Sequence, residues 1–263
     1  MKDNIENILL IDTNEIGILR LTLNDLSNKN ALSELMMQKL INAITEASKD
    51  KSVKVIVIAS TGNVFCSGHN LKEINEARKA DDGGKSYYLE LFKTCSSLMQ
   101  SIVNCTKPVI AEVNGIATAA GCQLVASCDL AVSSNSAKFA TPGVNIGLFC
   151  STPMVALSRN VSKKDSMKML LTGDMINADE AKRISLINDF VPEEELTKLV
   201  MGLAEKISKK SAFVVSIGKE AFYKQSELNL FDAYEYTSRV MTENILNENA
   251  KEGIDAFLEK RDP

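Results

Sequence analysis

The sequence predicts an α/β fold in which buried strands and amphipathic helices alternate along the first half of the chain. Three observations support this prediction: two strand patterns near the start, the continuous apolar run VKVIVIAS at 53–60, and helical apolar stripes on either side of that run. With 263 residues, of which 45% are hydrophobic, the chain can build a sizeable core. We therefore expect one α/β domain wrapped by C-terminal helices.

The first elements are two strands, ILLID at 8–12 and GILRLTL at 17–23, on either side of a polar turn. Ser33 is placed to cap the helix that follows. The apolar stripe of that helix comprises Leu35, Met36, Leu40, Ile44 and Ala47. The run at 53–60 is typical of a strand that is buried on both faces. A second helix is predicted at about 87–103. Its apolar face comprises Leu91, Cys95, Leu98, Met99 and Ile102.

The alternation continues through the middle of the chain and then changes. KPVIAEVNG at 107–115 indicates a strand and a turn, and DLAVSS at 129–134 indicates the next strand. From about residue 153 onward the pattern is mostly helical, and Asn177 with Glu180 three residues later favours a helix start. No low-complexity linker separates the two parts, which supports a single domain.

Composition excludes several classes of function. The net charge of −4 provides no broad positive field for nucleic acid, and no apolar run approaches the roughly 20 residues needed for membrane insertion. The start of the chain lacks a secretion signal, so we expect a cytoplasmic protein. Six cysteines are scattered without metal-ligand spacing beside the single histidine, His69, which indicates buried thiols in a reducing compartment and predicts no metal site.

Two short segments could supply backbone hydrogen-bond donors to an anion. ATAAG at 117–121 starts a helix, near Ala119, with small side chains that leave its first N–H groups accessible. In SGHNL at 67–71, Gly68 can turn the backbone so that the N–H of His69 points outward. Two such groups on one oxygen would form an oxyanion hole. The alternative is that the small residues permit close packing and that His69 is an ordinary hydrogen-bonded histidine.

Five stretches of the sequence resemble the enoyl-CoA hydratase/isomerase (crotonase) superfamily. They are FCSGHNLKE at 65–73, KPVIAEVNGIATAAGCQLVASCDLAV at 107–132, FATPGVNIGL at 139–148, LLTGDMINADEAKRISLIN at 170–188 and EGIDAFLEKR at 252–261. The resemblance extends from about residue 5 to the end of the chain, and the motifs occur in the family's order. Within the superfamily, GCQLVASCDL followed by FATPGVNIGLFCSTP is most similar to one divergent group.

The resemblance implies a crotonase-like spiral of ββα units over residues 1–195 and a helical oligomerisation region over 196–263 that does not fold independently. It implies an acyl-CoA thioester as ligand, fatty-acid metabolism as context, and assembly into homotrimers or hexamers. No separate cofactor is expected, because CoA is part of the substrate. The thioester oxygen would lie between the N–H groups of His69 and Ala120, with Gly121 beside the latter, where enolate charge develops.

The resemblance also indicates which residues surround CoA. Those near the adenine and pantetheine would be Lys29, Ala31, His69, Asn70, Leu71 and Lys72. Lys260 matches a basic position that in trimers reaches the CoA phosphate of a neighbouring subunit. The alternative for both Lys29 and Lys260 is a solvated surface charge.

At the two positions where hydratases of the superfamily carry catalytic glutamates, this sequence has Gln123 and Gly143. An amide accepts no proton at neutral pH and glycine has no side chain, so the two-carboxylate mechanism cannot operate. Glu112 could serve as a relocated base or form a salt bridge. Three interpretations are open. The first is an enzyme of this family, either a lyase such as a decarboxylase or an isomerase with a relocated base. The second is a non-catalytic acyl-CoA-binding protein, and the third is a structural oligomer. The preserved SGHNL and ATAAG segments argue against the last.

Overall fold

A computed structural model of the protein describes residues 7–262. The strands are β1 (Leu9–Thr13), β2 (Ile18–Leu23), β3 (Val55–Ser60), β4 (Val64–Cys66), β5 (Val109–Val113), β6 (Ile116–Thr118), β7 (Leu130–Ser134), β8 (Lys138–Ala140), β9 (Ile176–Asn177) and β10 (Asp189–Val191). The helices are α1 (Glu34–Lys49), α2 (Leu71–Ala77), α3 (Lys85–Val103), α4 (Ala120–Ser127), α5 (Pro153–Asn160), α6 (Lys163–Thr172), α7 (Ala178–Arg183), α8 (Glu193–Ser208), α9 (Ala212–Gln225), α10 (Leu230–Ile245) and α11 (Glu248–Glu259). Short 3₁₀ helices span Leu26–Asn28 and Pro142–Ile146.

The strands form two sheets, one ordered β1-β2-β3-β5-β7-β10 and the other β4-β6-β8-β9. The pairs β1/β2 and β8/β9 are antiparallel, and the remaining pairs are parallel. From β3 to β8 successive strands alternate between the sheets, with helices after β4 and after β6. These repeated ββα units wind into a spiral. The predicted α/β class and the crotonase-like spiral are confirmed.

The four-stranded sheet has no counterpart in the sequence prediction. Its strands are only two or three residues long, which is too short for an alternating apolar pattern to be recognised. Each is defined instead by its neighbours, as β6 is by its pairing with β4 on one side and β8 on the other. This sheet positions both candidate donor segments, because one follows β4 and the other follows β6.

The central strand β3 is buried on both faces, as its apolar run predicts. Ile56 and Ile58 belong to the large core, which also contains the buried faces of α1 and α3. Val55 and Val57 belong to a smaller core beneath α8. The six-stranded sheet is therefore a middle layer between helices, and its two faces pack against two separate hydrophobic cores.

Ser33 caps α1 as predicted, because its Oγ accepts a hydrogen bond of 3.2 Å from the Met36 N–H. The predicted apolar stripe of α1 is buried except at one position. Leu35 is 42% exposed, and Met37 packs in the core in its place. The predicted stripe was therefore wrong by one side chain and right in its periodicity.

Two later helices also agree with the prediction from the sequence. The five predicted core residues of α3 are all buried. Asn177 caps α7, since its Oδ1 accepts a hydrogen bond of 2.9 Å from the Glu180 N–H. The Glu180 carboxylate bonds Arg183 and does not return to Asn177, so only half of a capping box forms.

A buried ion pair lies on the α8 face of the six-stranded sheet. The two terminal nitrogens of the Arg20 guanidinium on β2, Nη1 and Nη2, donate to the Glu112 carboxylate on β5, each at 2.6 Å. Thr197 on α8 donates its hydroxyl to the same carboxylate at 2.7 Å. The Glu112 side chain is only 6% exposed, so these three bonds replace the water that the charge has lost.

Charged contacts help to attach the last helices to the core. On α9, Lys219 Nζ and the Tyr223 hydroxyl donate to the two Asp129 oxygens at 2.7 and 2.8 Å. No residue of α10 is buried. The division of the chain at residue 195 stays a prediction. Among the described residues, none of the helices has the length and apolarity needed to cross a membrane.

We expect Arg20→Leu to lower the free energy of unfolding by about 3 kcal/mol, because it leaves the Glu112 carboxylate buried without its cation. Urea denaturation at pH 7 measures this change. The double variant Arg20→Leu with Glu112→Leu removes both charges and should recover much of the loss. Equal destabilisation in the single and double variants would contradict the ion-pair interpretation.

Candidate active site

The start of α4 is held tightly against β4. A Cβ atom at Gly121 would lie 2.2 Å from the Cys66 carbonyl oxygen, which no side chain can tolerate. Ala119, the residue before the helix, has φ of 50°, an uncommon conformation for a residue with a side chain. The packing interpretation of the small residues is therefore right at Gly121, and the same contact fixes where the helix begins.

The peptide that links Gly68 to His69 has a defined orientation. Leu32 N–H donates to the Gly68 carbonyl oxygen at 2.7 Å. In a planar trans peptide the carbonyl and the following N–H point in opposite directions. The His69 N–H therefore points away from Leu32, and within residues 7–262 it donates to no backbone or side-chain acceptor.

The peptide between Ala119 and Ala120 is oriented by the same rule. The Ala119 carbonyl accepts the first hydrogen bond of α4, from Gln123 N–H at 3.0 Å, so the Ala120 N–H points out of the helix start. A Cβ built on Gly68, whose φ is +92°, would lie only 3.3 Å from Ala120 N. The segments carrying the two free N–H groups are therefore in contact.

The Gln123 side chain is buried one turn into α4, with 4% of the residue exposed. Its Oε1 accepts a weak hydrogen bond of 3.8 Å from the Cys95 thiol on α3. Its Nε2 amide group donates to no group in the described part of the chain. The Gln123 side chain therefore offers amide hydrogen-bond donors and no carboxylate on α4.

Gly143 lies in the 3₁₀ helix Pro142–Ile146, next to the start of α4, because Ala119 N–H donates to the Ala140 carbonyl at 2.9 Å. A Cβ at Gly143 would meet the Leu148 carbonyl oxygen at 2.7 Å and the Cys150 thiol at 2.9 Å. The space that a side chain would need is already filled. Any side chain at this position would require the surrounding backbone to move.

The His69 imidazole is the only histidine ring in the protein. Both ring nitrogens are buried without a hydrogen-bond partner in the described region, and the ring meets Phe92 edge-on at 5.6 Å between centroids. Burial lowers the pKa of His69, because the charged form loses its hydration. The ring is therefore neutral at pH 7.

The structure separates Glu112 from these residues. Its β5 neighbour two positions away, Ile110, packs in the small core beneath α8, whereas Ala120 packs in the large core on the other face of the sheet. The salt-bridge interpretation of Glu112 is therefore correct, and the sheet keeps its carboxylate away from the donor segments.

Most of the residues assigned to CoA by resemblance lie along one edge of this site. Ser67 N–H donates to the Lys29 carbonyl at 3.3 Å, which places the segment with Lys29 and the buried Ala31 beside the SGHNL loop. Asn70 caps α2, Leu71 is exposed, and Lys72 Nζ donates to Asn28 Oδ1 at 3.3 Å. Lys260 lies exposed at the end of α11, a helix that packs on α10.

Glu73 belongs to the same loop and was not identified from the sequence. Its carboxylate accepts from Asn70 Nδ2 at 3.2 Å and from the N–H of Glu34 at 3.3 Å, so it ties α2 to the start of α1. Burial, and then the nearby Glu34 charge, raise its pKa. The spacing of Asn70 and Glu73 resembles a capping box, which was the available signal.

The cysteines are free and buried, as predicted. Burial raises the pKa of the Cys66 and Cys122 thiols to about 12, so both stay protonated. Across residues 7–262, histidine, cysteine, aspartate and glutamate side chains form no group that could hold a metal ion.

Comparison with known proteins gives concordant results. The sequence model of the enoyl-CoA hydratase/isomerase family matches residues 13–263. A Xenopus laevis protein, enoyl-CoA hydratase domain-containing protein 3, is 49% identical over 95% of this chain and 83% of its own length. The crystal structure of the human protein of the same name has a TM-score of 0.92 and 46% identity, covering 98% of this chain and 99% of that chain. An enoyl-CoA hydratase structure from Mycobacterium smegmatis has a TM-score of 0.93 and 45% identity, covering 97% and 98%. The group that the sequence motifs indicated is therefore confirmed.

The same names correct the predicted localisation. The Xenopus laevis and human relatives are both described as mitochondrial, which contradicts the expected cytoplasmic location. That expectation was based on a missing secretion signal and on reduced thiols. Neither observation distinguishes the cytosol from other reducing compartments, so the inference was wrong.

The buried neutral imidazole predicts that His69 contributes to the pH dependence of stability. Because the unfolded chain has the higher histidine pKa, it binds the proton first as the pH falls below about 6.5. The contribution of His69 to the free energy of unfolding should be greatest above that pH and should fall below it, by at most about 1.4 kcal/mol per pH unit.

Urea denaturation of the protein and of His69→Phe between pH 5 and 7.5 measures this effect. Phenylalanine keeps the ring contact with Phe92 but cannot titrate. As the pH falls, the unfolding free energy of the unmodified protein should decrease relative to that of His69→Phe. A difference that does not vary with pH would show that the His69 ring is not desolvated.

Proposed function

Because the chain belongs to the enoyl-CoA hydratase/isomerase family, we propose that it binds acyl-CoA thioesters and stabilises a thioester enolate between two backbone N–H groups. The observation that carries this proposal is that the N–H groups of His69 and Ala120 have no partner in the described part of the chain. The carbonyl of each of these two peptides points the other way and accepts a hydrogen bond. Their segments touch at Gly68. The N–H groups are held before the ligand arrives, so little reorganisation is needed when charge develops on the oxygen.

The two donors suit an enolate better than a neutral thioester. The carbonyl oxygen gains charge as the α-carbon is deprotonated or loses a substituent, and each hydrogen bond strengthens with that charge. Loss of one donor of this kind costs about 3 kcal/mol of transition-state stabilisation in enzymes. The orientation of both peptides by backbone bonds supports a similar contribution here.

Proton transfer is the weak part of the proposed site. Gln123 supplies an amide, Gly143 supplies no side chain, and Glu112 lies across the sheet in an ion pair. A reaction that needs only enolate stabilisation, such as loss of carbon dioxide from a β-carboxylated acyl group, fits these residues better than hydration. An acyl-CoA-binding protein without turnover remains the second candidate, supported by the same lack of a base.

The loop that carries His69 also supports binding of CoA. The exposed Lys29 and Lys72 lie on either side of this loop. Ala31, Asn70 and Leu71, which lie between them, carry no charge. Lysines of this kind act on phosphates as point charges and need no fixed geometry. We propose that they hold the CoA phosphates while the pantetheine runs past Ala31.

The proposed assembly is a homotrimer, or a pair of trimers, formed through the C-terminal helices. The most exposed large apolar side chains there are Leu230, Phe231, Tyr234, Leu246, Phe257 and Leu258, at 69–83% exposure. Exposed apolar surface of this extent is costly in water and typical of an interface. Lys260 lies beside the last two of these residues, where it could reach a neighbouring subunit's ligand.

Calorimetry should detect binding of acyl-CoA thioesters, and hydration of crotonyl-CoA should be slow. Positioned acid and base groups each contribute roughly 100- to 10,000-fold, so turnover should fall well below roughly 100 per second. The absence of any heat or competition with thioesters at millimolar concentration would refute binding. Hydration at or above that rate would show that the protein has another acid and base.

The variant Gln123→Glu tests the chemistry of this position. It restores a carboxylate on α4 without a new side chain at 143, where the Leu148 carbonyl blocks the Cβ. It should raise the hydration rate. The matched control is Glu112→Gln, the reverse exchange on the other face of the sheet, which should leave that rate unchanged.

Light scattering at micromolar concentration should give the mass of a trimer or hexamer. Replacement of Phe257 and Leu258 by serine should shift the protein toward the monomer, because each removes apolar area from the proposed interface. A monomeric mass for the unmodified protein would refute the assembly.

A further inference from the structure

Three lysine side chains line one depression at the amino ends of β3 and β5. Lys54 directly precedes β3, Lys107 precedes β5, and Lys210 lies in the connection between α8 and α9. The fold brings them together from distant parts of the sequence. Ile56 N–H donates to the Pro108 carbonyl at 2.9 Å, so the two strands begin side by side. The donor segments of the candidate active site follow the carboxyl ends of β4 and β6 instead, so the depression is a separate feature.

The positive charge of the depression has no matching negative charge. Within residues 7–262 none of the three ammonium groups forms a hydrogen bond or an ion pair, and no acidic side chain lines the depression. Two hydrogen bonds from Ser52, at 2.7 and 2.8 Å, and to a smaller extent the Lys107 charge, lower the pKa of Asp50. Glu205, near the end of α8, pairs with Lys209 at 2.8 Å. Three like charges around one depression repel one another, and a bound anion would relieve that repulsion.

A second cavity adjoins this depression. Its volume is about 170 Å³, and it is lined by Pro108, Asp129, Lys219, Phe222 and Tyr223. Pro108 lines the depression as well, so the two spaces meet there. The charges of Asp129 and Lys219 compensate each other in an ion pair of 2.7 Å. The cavity therefore offers a ligand mainly aromatic surface, of which the Phe222 side chain is 65% exposed.

One stripe of α9 runs along both spaces. Ala212 and Val215 line the depression, and Lys219 and Phe222 line the cavity. Residues at this three- and four-residue spacing lie on the same face of a helix. At a rise of about 1.5 Å per residue, the distance along the axis from Val215 to Phe222 is about 10 Å. The two spaces thus form one groove, the α9 groove, which is basic at the start of the helix and aromatic farther along it.

We propose that the α9 groove binds a nucleoside polyphosphate, with its phosphates at Lys54, Lys107 and Lys210 and its base in the cavity against Phe222 and Tyr223. Lysine ammonium groups bind phosphates as point charges, and three of them balance most of the charge of a triphosphate. A planar base stacks on an aromatic ring. A phosphate without a base would use only the basic end of the groove. This binding site is separate from the proposed acyl-CoA site and does not depend on it.

The test compares ATP, tripolyphosphate and adenosine by calorimetry in magnesium-free buffer. ATP should bind about fivefold more tightly than tripolyphosphate, or better, which is the gain that stacking of one base supplies. Adenosine should bind more weakly than either, because it lacks the charges that the lysines attract. Added salt should weaken ATP binding by screening those charges. Equal affinity for ATP and tripolyphosphate, or no heat with ATP at millimolar concentration, would overturn the inference.

Two variants assign the binding to the groove. Lys54→Gln with Lys210→Gln removes two exposed charges and should weaken binding of both ATP and tripolyphosphate by about tenfold. Phe222→Ala should weaken ATP binding by about fivefold and leave tripolyphosphate binding unchanged, because it removes only the stacking surface. The matched control is Lys164→Gln with Lys198→Gln, which makes the same change of net charge at exposed lysines outside the groove. It should bind ATP as the unmodified protein does.

The outcomes distinguish this inference from the proposed function. ATP binding that is lost in Lys29→Gln with Lys72→Gln, but kept in Lys54→Gln with Lys210→Gln, would place the nucleotide at the proposed CoA site and overturn the groove. Equal loss of ATP binding in the groove variant and its matched control would show a general effect of charge and would also overturn it. Binding of ATP without binding of butyryl-CoA would refute the proposed function and leave the groove intact.

Discussion

The candidate site depends on one backbone hydrogen bond, from Leu32 N–H to the Gly68 carbonyl at 2.7 Å. It joins two segments that are far apart in sequence and fixes the plane of the Gly68–His69 peptide. The free N–H of His69 is a consequence of that plane. A Cβ on Gly68 would lie only 3.3 Å from Ala120 N, so the Gly68–His69 peptide lies close to the start of α4.

Close packing supports this arrangement on the other side. Gly121 lets α4 approach the Cys66 carbonyl more closely than any side chain would allow, and Gly68 fits beside Ala119. The two strands that precede the donors, β4 and β6, are neighbours in the smaller sheet. Their pairing carries both donor segments to one edge, so the site is set by the sheet and not by the loops alone.

The chemistry of the site follows from what surrounds these donors. Carboxylates are present in the protein, but Glu112 is neutralised by Arg20 on the opposite face and Glu73 ties two helices together. The side chains of His69 and Gln123, next to the donors, carry no charge at pH 7. Under the proposed function, such a site would stabilise charge on the ligand more readily than it would move a proton, which separates enolate stabilisation from hydration.

Much of the fold could be predicted from the sequence, because the longer elements carry a periodic signal. The buried run at 53–60, the stripe of α3 and the Ser33 cap each depend on neighbours within a few residues, and the motifs around His69 and Ala120 indicated the family. The four-stranded sheet, the face on which Glu112 lies, and the space around Gly143 could not be predicted. Short strands contain too few residues to form a pattern. The surroundings of a side chain are decided by segments that meet it only when the chain has folded, and tertiary structure alone brings those segments together.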